Sequence, residues 1–193
     1  EALRTALAMG ADESILVEGD DNLDSYMTAK ALKGAIEKSG KTPDIVFAGK
    51  QGIDDDCLQV PQLLAGMLNL PSVSVVVGFE HADGKTTLKR EVEGGAIEVY
   101  EVAGPVMVAT NKGINTPRYA SLPGIMKAKK KPLTKLSLAD VGVSADDRRV
   151  VYSGFTLPPE KPAGKKFEAT DEALQAGVVK EVVGLLRNEA KVI

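Results

Sequence analysis

The sequence predicts an α/β fold in which helices pack on both faces of a parallel β-sheet. Three apolar runs of strand length, at residues 14–17, 45–47 and 73–77, alternate with segments of helical periodicity. Strands that alternate with helices lie parallel and are joined by right-handed crossovers. The length of 193 residues, with 44% hydrophobic and 26% charged residues, suits one domain with an arm or appendage.

The first elements follow this alternation in order. Residues 1–9 predict a helix that Gly10 ends, residues 14–17 a buried strand and residues 24–38 a second helix. The second helix is expected to turn one apolar face inward, formed by Tyr26, Ala29, Leu32 and Ile36. Because no strand precedes the first helix, we expect a strand upstream of these 193 residues.

The next elements complete the alternating half of the chain. Residues 44–48 predict a strand, and a loop over 49–56 leads from it into a third helix. This helix is expected to carry a set of apolar side chains, Leu58, Leu63, Leu64, Met67 and Leu68. Pro71 then precedes the strand at 73–77.

The second half changes to antiparallel strands and irregular segments. An Asp83-Gly84 hairpin turn and a Gly94-Gly95 pair bound two predicted antiparallel strands, and a further strand follows at 105–109. The proline-rich stretch at 158–166 predicts a linker, and Thr170 is the expected N-cap of a final amphipathic helix. We therefore expect an α/β domain over residues 1–150, followed by a C-terminal strand, linker arm and helix over 151–193.

The composition excludes several classes of function. No apolar run reaches the length that spans a membrane, so membrane insertion is not expected. A net charge of −3 and the absence of Trp argue against a nucleic-acid-binding surface. Cys57 and His81 are the only residues of their kinds, which excludes disulfides within the chain and thiolate-rich metal sites.

One candidate binding segment is the loop that starts with Gly49 and Lys50. It lies where a parallel strand ends and a helix begins, which is the edge at which open α/β sheets bind ligands. Free backbone N–H groups at a helix start, together with the charge of Lys50, suit a phosphate. The three aspartates at 54–56 oppose a phosphate unless they turn outward. A well-capped helix start with solvated acids is therefore an equally good interpretation.

The most distinctive segment is residues 117–131. Leu122 precedes Pro123, which favours an extended backbone, and a short helix with Ile125 and Met126 ends among lysines. A rigidly presented leucine suits a pocket on a partner protein. On composition alone, packing of Leu122 in the chain's own core and a solvated helix end for the lysines are the simpler interpretations.

Three motifs together resemble the β subunit of the electron transfer flavoproteins. They are GKQGIDDDC at 49–57 with Gln59, REVEGG at 90–95, and the lysine-flanked segment 117–131, which is specific to that family. The resemblance extends in order and spacing from Leu3 to about Val143. It implies a Rossmann-like, adenine-nucleotide-binding fold for residues 1–150.

The resemblance implies that cofactors are divided between two chains. An α subunit would hold FAD, while this β subunit would bind AMP as a structural nucleotide and carry electrons without catalytic residues of its own. The three aspartates resemble AMP-binding members rather than electron-bifurcating relatives, which place a second FAD there. The implied AMP loop consists of Gly49, Lys50, Gln51, Gly52, Ile53, Asp54, Asp55, Asp56, Cys57, Leu58, Gln59 and Val60.

One departure from the family pattern lies at the end of this loop. Val60 and Pro61 stand where many relatives have Thr and Gly. The change removes a hydroxyl and one backbone N–H donor from the helix start, which bears directly on phosphate binding.

The resemblance also implies two contact regions. Leu122 would anchor the chain in a pocket on an acyl-CoA-type dehydrogenase, within a docking segment that includes Pro123, Ile125, Met126, Lys127 and Lys130. Lys127 and Lys130 match positions that are methylated in some relatives. Glu91 would pair with an α-subunit arginine near the flavin. The heterodimer would shuttle electrons to a membrane-linked quinone reductase, in a bacterial cytoplasm or a mitochondrial matrix.

A competing hypothesis is a stand-alone nucleotide-binding regulator or a metal-dependent hydrolase. It would use Asp54, Asp55 and Asp56 as metal ligands. Adjacent residues on a loop rarely converge on one ion, so this function needs carboxylates from elsewhere in the chain.

Overall fold

Helices and strands alternate along the part of the chain that the computed structural model describes, residues 1–19, 23–161 and 163–193. These residues divide into two compact units, Glu1–Val151 and Tyr152–Ile193. The helices are α1 (Ala2–Met9), α2 (Ser25–Lys38), α3 (Val60–Leu68), α4 (Leu122–Ala128) and α5 (Glu172–Asn188). The strands are β1 (Ser14–Glu18), β2 (Ile45–Gly49), β3 (Ser72–Ala82), β4 (Lys85–Glu91), β5 (Ile97–Ala103), β6 (Val106–Thr110) and β7 (Leu133–Ser137).

Five strands form one mixed sheet, and two form a separate parallel pair. In the order β2-β6-β3-β4-β5, strand β6 lies parallel to both β2 and β3, while β3, β4 and β5 are antiparallel. Strand β1 pairs in parallel with β7. Asp83 and Gly84 turn the β3–β4 hairpin with φ values of 50° and 75°, as a type I′ turn requires. The predicted α/β class, with its antiparallel excursion, is confirmed.

Helix α2 is buried on two sides rather than along one stripe. Met27 packs in a cluster with Val141, while Ala29 packs in another cluster with Leu64 of α3. Leu32, which we expected on the inward face, is 41% exposed. A helix that contacts neighbours on two sides buries small residues around much of its circumference, so the single-stripe prediction was wrong there.

A buried carboxylate fastens the end of the first unit to α2. Asp24 is 3% exposed, and its Oδ1 accepts a hydrogen bond from the amide of Met27 (2.8 Å) at the helix start. Its Oδ2 accepts from the amides of Arg149 (2.5 Å) and Val150 (2.9 Å). Burial alone would raise the pKa of Asp24, but these hydrogen bonds and the charge of Arg148 hold the pKa below its ordinary value.

Side-chain contacts reinforce the same junction. Lys30 Nζ lies 2.6 Å from Asp147 Oδ1, and the other oxygen of Asp147 accepts from the amide of Ser144 (2.8 Å). The Arg149 guanidinium lies over the Tyr26 ring, 4.9 Å from its centroid. The segment before the second unit is therefore held on α2 by charge, hydrogen bonds and ring contact.

Two helix starts differ from the prediction. Leu122, expected in an extended segment, is the first residue of α4, because Ser121 caps the helix by accepting from the amide of Gly124 (3.1 Å). The N-cap of α5 is Asp171 rather than Thr170. An aspartate one residue further on provides the stronger cap, since its carboxylate also complements the helix dipole.

The C-terminal strand that we expected is not present in residues 151–161 and 163–193. The strand that the sequence analysis missed is β7, which pairs with β1. The described part of the predicted linker has no regular structure, and Pro162 within it lies outside the described residues. Within the second unit, α5 leaves several apolar side chains exposed, among them Leu174 at 53% and Val179 at 61%.

Candidate functional site

The loop between β2 and α3 begins as an extension of the sheet. The amide of Lys50 donates to the carbonyl of Thr110 (3.0 Å), which continues the β2–β6 pairing by one step. Further along, Asp56 and Leu58 have φ values of 51° and 50°. This left-handed backbone excludes both residues from a helix, so Leu58 lies in the loop and α3 begins only at Val60.

A small cleft opens where this loop meets α3. Its volume of about 120 Å³ lies below the ~300–1,000 Å³ of ordinary small-molecule sites. A cleft of this size accepts one end of a ligand rather than a whole nucleotide. It is lined by most of the predicted loop residues, Gly49, Lys50, Gln51, Gly52, Asp55, Cys57, Leu58, Gln59 and Val60, and by Ser25, Ala48 and Pro61.

The membership of this cleft differs from the prediction in two ways. Ile53, Asp54 and Asp56 do not line it. Ser25, the first residue of α2, does, and the sequence analysis missed it because strand and helix patterns do not show which helix starts converge. The structure thus brings the start of α2 to the same cleft as the start of α3.

The start of α3 has no side-chain cap. Gln59 occupies the N-cap position without making a capping hydrogen bond. The amide of Leu63 is bonded back to the carbonyl of Gln59 (3.0 Å), while amides nearer a helix start have no acceptor within the helix. Pro61 contributes no N–H. The alternative of a well-capped helix start is therefore wrong, and the remaining amides suit an anion.

The three aspartates of the loop, Asp54, Asp55 and Asp56, are exposed to solvent, and Asp55 also lines the small cleft. Asp55 Oδ1 accepts from the amide of Cys57 (3.3 Å). No group of three or more His, Cys, Asp and Glu residues that could hold a metal ion occurs within 1–19, 23–161 and 163–193. In that part of the chain, the hydrolase hypothesis has no ligand set.

A larger cleft, about 770 Å³, joins this loop to Glu91. Both Lys50 and Glu91 line it, and Glu91 is exposed at the end of β4. Asn111 Nδ2 donates to Glu91 Oε2 (3.2 Å). The adjacent Arg90 reaches Glu98 on β5, at 3.6 Å, rather than Glu91. Glu91 therefore forms no ion pair with the residues that the structure describes.

Backbone strain marks the same cleft. Val75 lines it with a φ of 58°, a left-handed conformation that a β-branched residue rarely adopts. It lies at an irregularity of β3 between Val73 and Val76, where the pairing with β6 shifts register. Such strain concentrates at binding sites, where surrounding structure enforces it. This strain could not be predicted, because residues 72–77 have the composition of an ordinary strand.

Helix α4 presents an apolar ridge, which we define as Leu122, Ile125 and Met126. These side chains are 76%, 44% and 58% exposed. Pro123 fixes one backbone angle within the first turn, so the ridge is held on a short, capped helix. Leu122 is therefore not a residue of the first unit's core, which was the simpler interpretation of its sequence.

The lysines beside the ridge fall into two groups. Lys127, Lys129 and Lys130 are exposed and make no hydrogen bond or ion pair through their ammonium groups within the described ranges. Lys131 is half-buried, and its Nζ donates to the carbonyl of Leu7 (3.2 Å) in α1. Sequence alone could not separate them, since all belong to one lysine-rich run.

A membrane-crossing helix is not found in the described parts of the chain, where every helix is too short or too polar to span a bilayer.

Comparison with known proteins gives a consistent set of similarities. The family described as the electron transfer flavoprotein domain matches residues 1–141. The chain is 40% identical over 191 residues to electron transfer flavoprotein subunit beta of Syntrophomonas wolfei, covering 99% of this chain and 73% of that protein. It is 39% identical over 196 residues to the protein of that name from Bacillus subtilis, covering 99% and 74%. For the Mus musculus protein the identity is 39% over 176 residues, covering 89% and 68%.

Proposed function

The chain belongs to the electron transfer flavoprotein family, as one of its β subunits, and from this we propose that it binds AMP and docks dehydrogenases within a two-chain electron carrier. The FAD is bound mainly by the partner α subunit. Electrons pass from acyl-CoA-type dehydrogenases to the flavin and on to a membrane-linked quinone reductase, in a bacterial cytoplasm or a mitochondrial matrix. The flavin supplies the redox chemistry, and the residues of this chain bind and orient.

The observation that carries the docking proposal is the exposure of Leu122 on a capped helix. A large apolar side chain that is 76% exposed loses contact with water only when a partner covers it. Ile125 and Met126 extend the apolar area, and the exposed Lys127 and Lys130 form a positive rim. An apolar centre with a charged rim is the usual arrangement of a docking patch.

The AMP proposal is supported by the two clefts. The uncapped start of α3 offers backbone N–H groups to a phosphate, and Lys50 adds a positive charge. Asp54 and Asp56 do not line this cleft, whereas Asp55 does and has one carboxylate oxygen occupied by the amide of Cys57. Lys50 also lines the cleft that reaches Glu91. In this proposal the phosphate lies at the loop and Glu91 faces the flavin-bearing partner.

Substitution of Leu122 tests the docking function. In the purified two-chain complex, Leu122→Ala should raise the apparent KM for the flavoprotein in a dehydrogenase assay about thirtyfold, because truncating a buried interface leucine costs ~2 kcal/mol. Flavin content, thermal midpoint and kcat should remain those of the wild type.

Leu32→Ala is the matched control, since Leu32 is a partly exposed leucine on another helix. It should leave KM unchanged. An unchanged KM for Leu122→Ala, or loss of the partner subunit, would remove the docking role from α4.

A further inference from the structure

Two cationic side chains join α1 and α4 through reciprocal hydrogen bonds. Arg4, on α1, donates from its guanidinium to the carbonyls of Ala128 (2.6 Å) and Lys131 (3.1 Å), at the carboxyl end of α4. Lys131, just beyond α4, donates from Nζ to the carbonyls of Leu7 (3.2 Å) and Ala11 (2.5 Å), at the carboxyl end of α1. Each helix thus supplies the cation for the end of the other.

These contacts lie at the carboxyl ends of helices, where positively charged hydrogen-bond donors are favourable. The last carbonyls of a helix have no partner within the helix, and its carboxyl end carries partial negative charge. Leu7 and Ala128 are 1% and 3% exposed, so carbonyls at these positions have little access to water. The carbonyls of Leu7 and Ala128 also accept from the amides of Gly10 (3.4 Å) and Lys131 (3.2 Å), so each cation is a second donor to a carbonyl that has two lone pairs. A hydrogen bond from a charged donor is stronger than a neutral one.

The opposite end of α4 is held by close backbone approach. A Cβ atom built on Gly124 would lie 2.5 Å from the carbonyl oxygen of Ala8, so only glycine fits at this spacing. Next to this contact an open groove of about 760 Å³, lined in part by Tyr119 and Ile125, leaves some of the α1–α4 interface unfilled. Of the two cations, Arg4 lines this groove together with its acceptor residue Ala128, so its contact spans the part of the interface that side-chain packing leaves open.

We propose that Arg4 and Lys131 are positioning residues, which fix α4 on α1 through these reciprocal hydrogen bonds and so determine where Leu122 is presented. The docking part of this inference rests on the proposed function. It assigns different tasks to neighbouring lysines: Lys131 holds the helix, whereas Lys127, Lys129 and Lys130 remain available to a partner.

Adjacent lysines provide the test and its control. Lys131→Met keeps most of the side-chain volume and removes the ammonium group. Lys130→Met makes the same change at an exposed neighbour whose ammonium group makes no hydrogen bond or ion pair among the described residues. Arg4→Met removes the other cation. All variants are prepared as the full two-chain complex, with Leu122→Ala alongside.

Hydrogen exchange measures the tie between the helices without reference to docking. In Lys131→Met and Arg4→Met, amides in α4 and at the end of α1 should exchange about tenfold faster, because local opening no longer breaks a charged hydrogen bond. Lys130→Met should leave these rates unchanged. Equal rates in the Lys130 and Lys131 variants would overturn the proposal.

Dehydrogenase kinetics measure the positioning role. At high ionic strength, where exposed charges are screened, Lys131→Met and Arg4→Met should raise KM about three- to tenfold with kcat unchanged. In a Leu122→Ala background, Lys131→Met should raise KM by a smaller factor than in the wild type, because only Ile125 and Met126 of the ridge remain to be positioned.

The outcomes separate this inference from the proposed function. If Leu122→Ala raises KM but Lys131→Met does not, docking stands and the positioning role is wrong. If Leu122→Ala leaves KM unchanged, docking by α4 is wrong and the positioning role falls with it. Should Arg4→Met fail to give a folded complex, Lys131→Met decides the question alone.

Discussion

At the scale of single residues, Lys50 is the cation on which phosphate binding depends in our proposal. It is half-buried, and it lines both the small cleft at the start of α3 and the larger cleft that reaches Glu91. The aspartates that follow in the sequence are exposed and do not pair with it. A phosphate in the small cleft would therefore meet the positive side chain of Lys50 and backbone amides, with the carboxylate of Asp55 as the one acid in the lining.

Lys50→Ala should weaken retention of AMP by about tenfold, because a hydrogen bond from a charged donor contributes ~1.5 kcal/mol. The measurement is the AMP released on denaturing extensively dialysed complex, quantified by chromatography. Lys89→Ala, at an exposed lysine on β4, serves as the control and should retain AMP fully. Absence of AMP from the wild-type complex would contradict the nucleotide assignment itself.

The role of a single residue can be predicted from sequence when its conformation is set by neighbours in the chain, and not when it depends on distant residues. The Asp83-Gly84 turn was predicted because its backbone geometry is set by two adjacent residues. The exposure of Leu122 could not be decided, because it depends on how α4 packs on α1, which is 124 residues away at the Arg4–Ala128 contact. The role of Arg4 was missed for the same reason.

At the scale of elements, the buried Asp24 joins the start of α2 to the segment that leaves the first unit. Asparagine keeps the shape but offers one acceptor oxygen, so it cannot satisfy the amides of Met27, Arg149 and Val150 together. Asp24→Asn should therefore lower the free energy of unfolding by ~2 kcal/mol. Denaturant unfolding measures this, and Asp146→Asn, at an exposed acid in the same segment, should change it by less than ~0.5 kcal/mol.

The pH dependence follows from the lowered pKa of Asp24. A carboxyl group with a lower pKa in the folded state contributes stability that is present above the unfolded pKa, near 3.8, and is lost as the pH falls through the folded pKa. Asp24→Asn should consequently flatten the loss of stability on acidification below about pH 4. The slope should not vanish, because the pKa values of Asp140 and Asp147 are also lowered by hydrogen bonds. An unchanged acid slope would show that Asp24 is not ionised in the folded protein.

The order and type of most elements could be predicted, since apolar periodicity is a local signal. The pairing of the strands could not, because β6 inserts between β2 and β3 in space but follows both in the chain. Strand β7 was missed because LTKLS alternates weakly and is stabilised by β1, far away in the sequence. Leu58 was assigned to a helix because hydrophobicity does not reveal a left-handed backbone.

At the scale of the whole molecule, Glu91 is the acid that faces a partner in our proposal. Glu91→Gln keeps its shape and its contact with Asn111 while deleting the charge. In the two-chain complex, the flavin-bearing domain of the α subunit is expected to take more than one orientation relative to this chain. Glu91→Gln should shift the ratio of these orientations about two- to fivefold, since an exposed ion pair contributes ~0.5–1 kcal/mol.

Solution scattering and electron-transfer rates report that ratio, and the thermal midpoint should not change. Glu80→Gln removes an exposed acid elsewhere on the sheet and should leave scattering and rates as they are. Wild-type profiles for Glu91→Gln would reject the proposed contact.

Contacts between the beginning and the end of the first unit affect the order in which the chain can fold during synthesis. The antiparallel hairpins of β3, β4 and β5 join near neighbours in sequence and can form early, because closing short loops costs little entropy. The β1–β7 pairing, the Arg4 and Lys131 contacts and the Asp24 junction all wait for residues beyond 127, since their partners lie 117 to 127 positions apart where hydrogen bonds join them. During synthesis, α2 can pack on β1 early, because Ile15 and Val17 contact the cluster that contains Met27. The strand that pairs with β1 and the helix that packs on α1 follow much later, so α1 and β1 must avoid aggregation until the segment carrying α4 and β7 has been made.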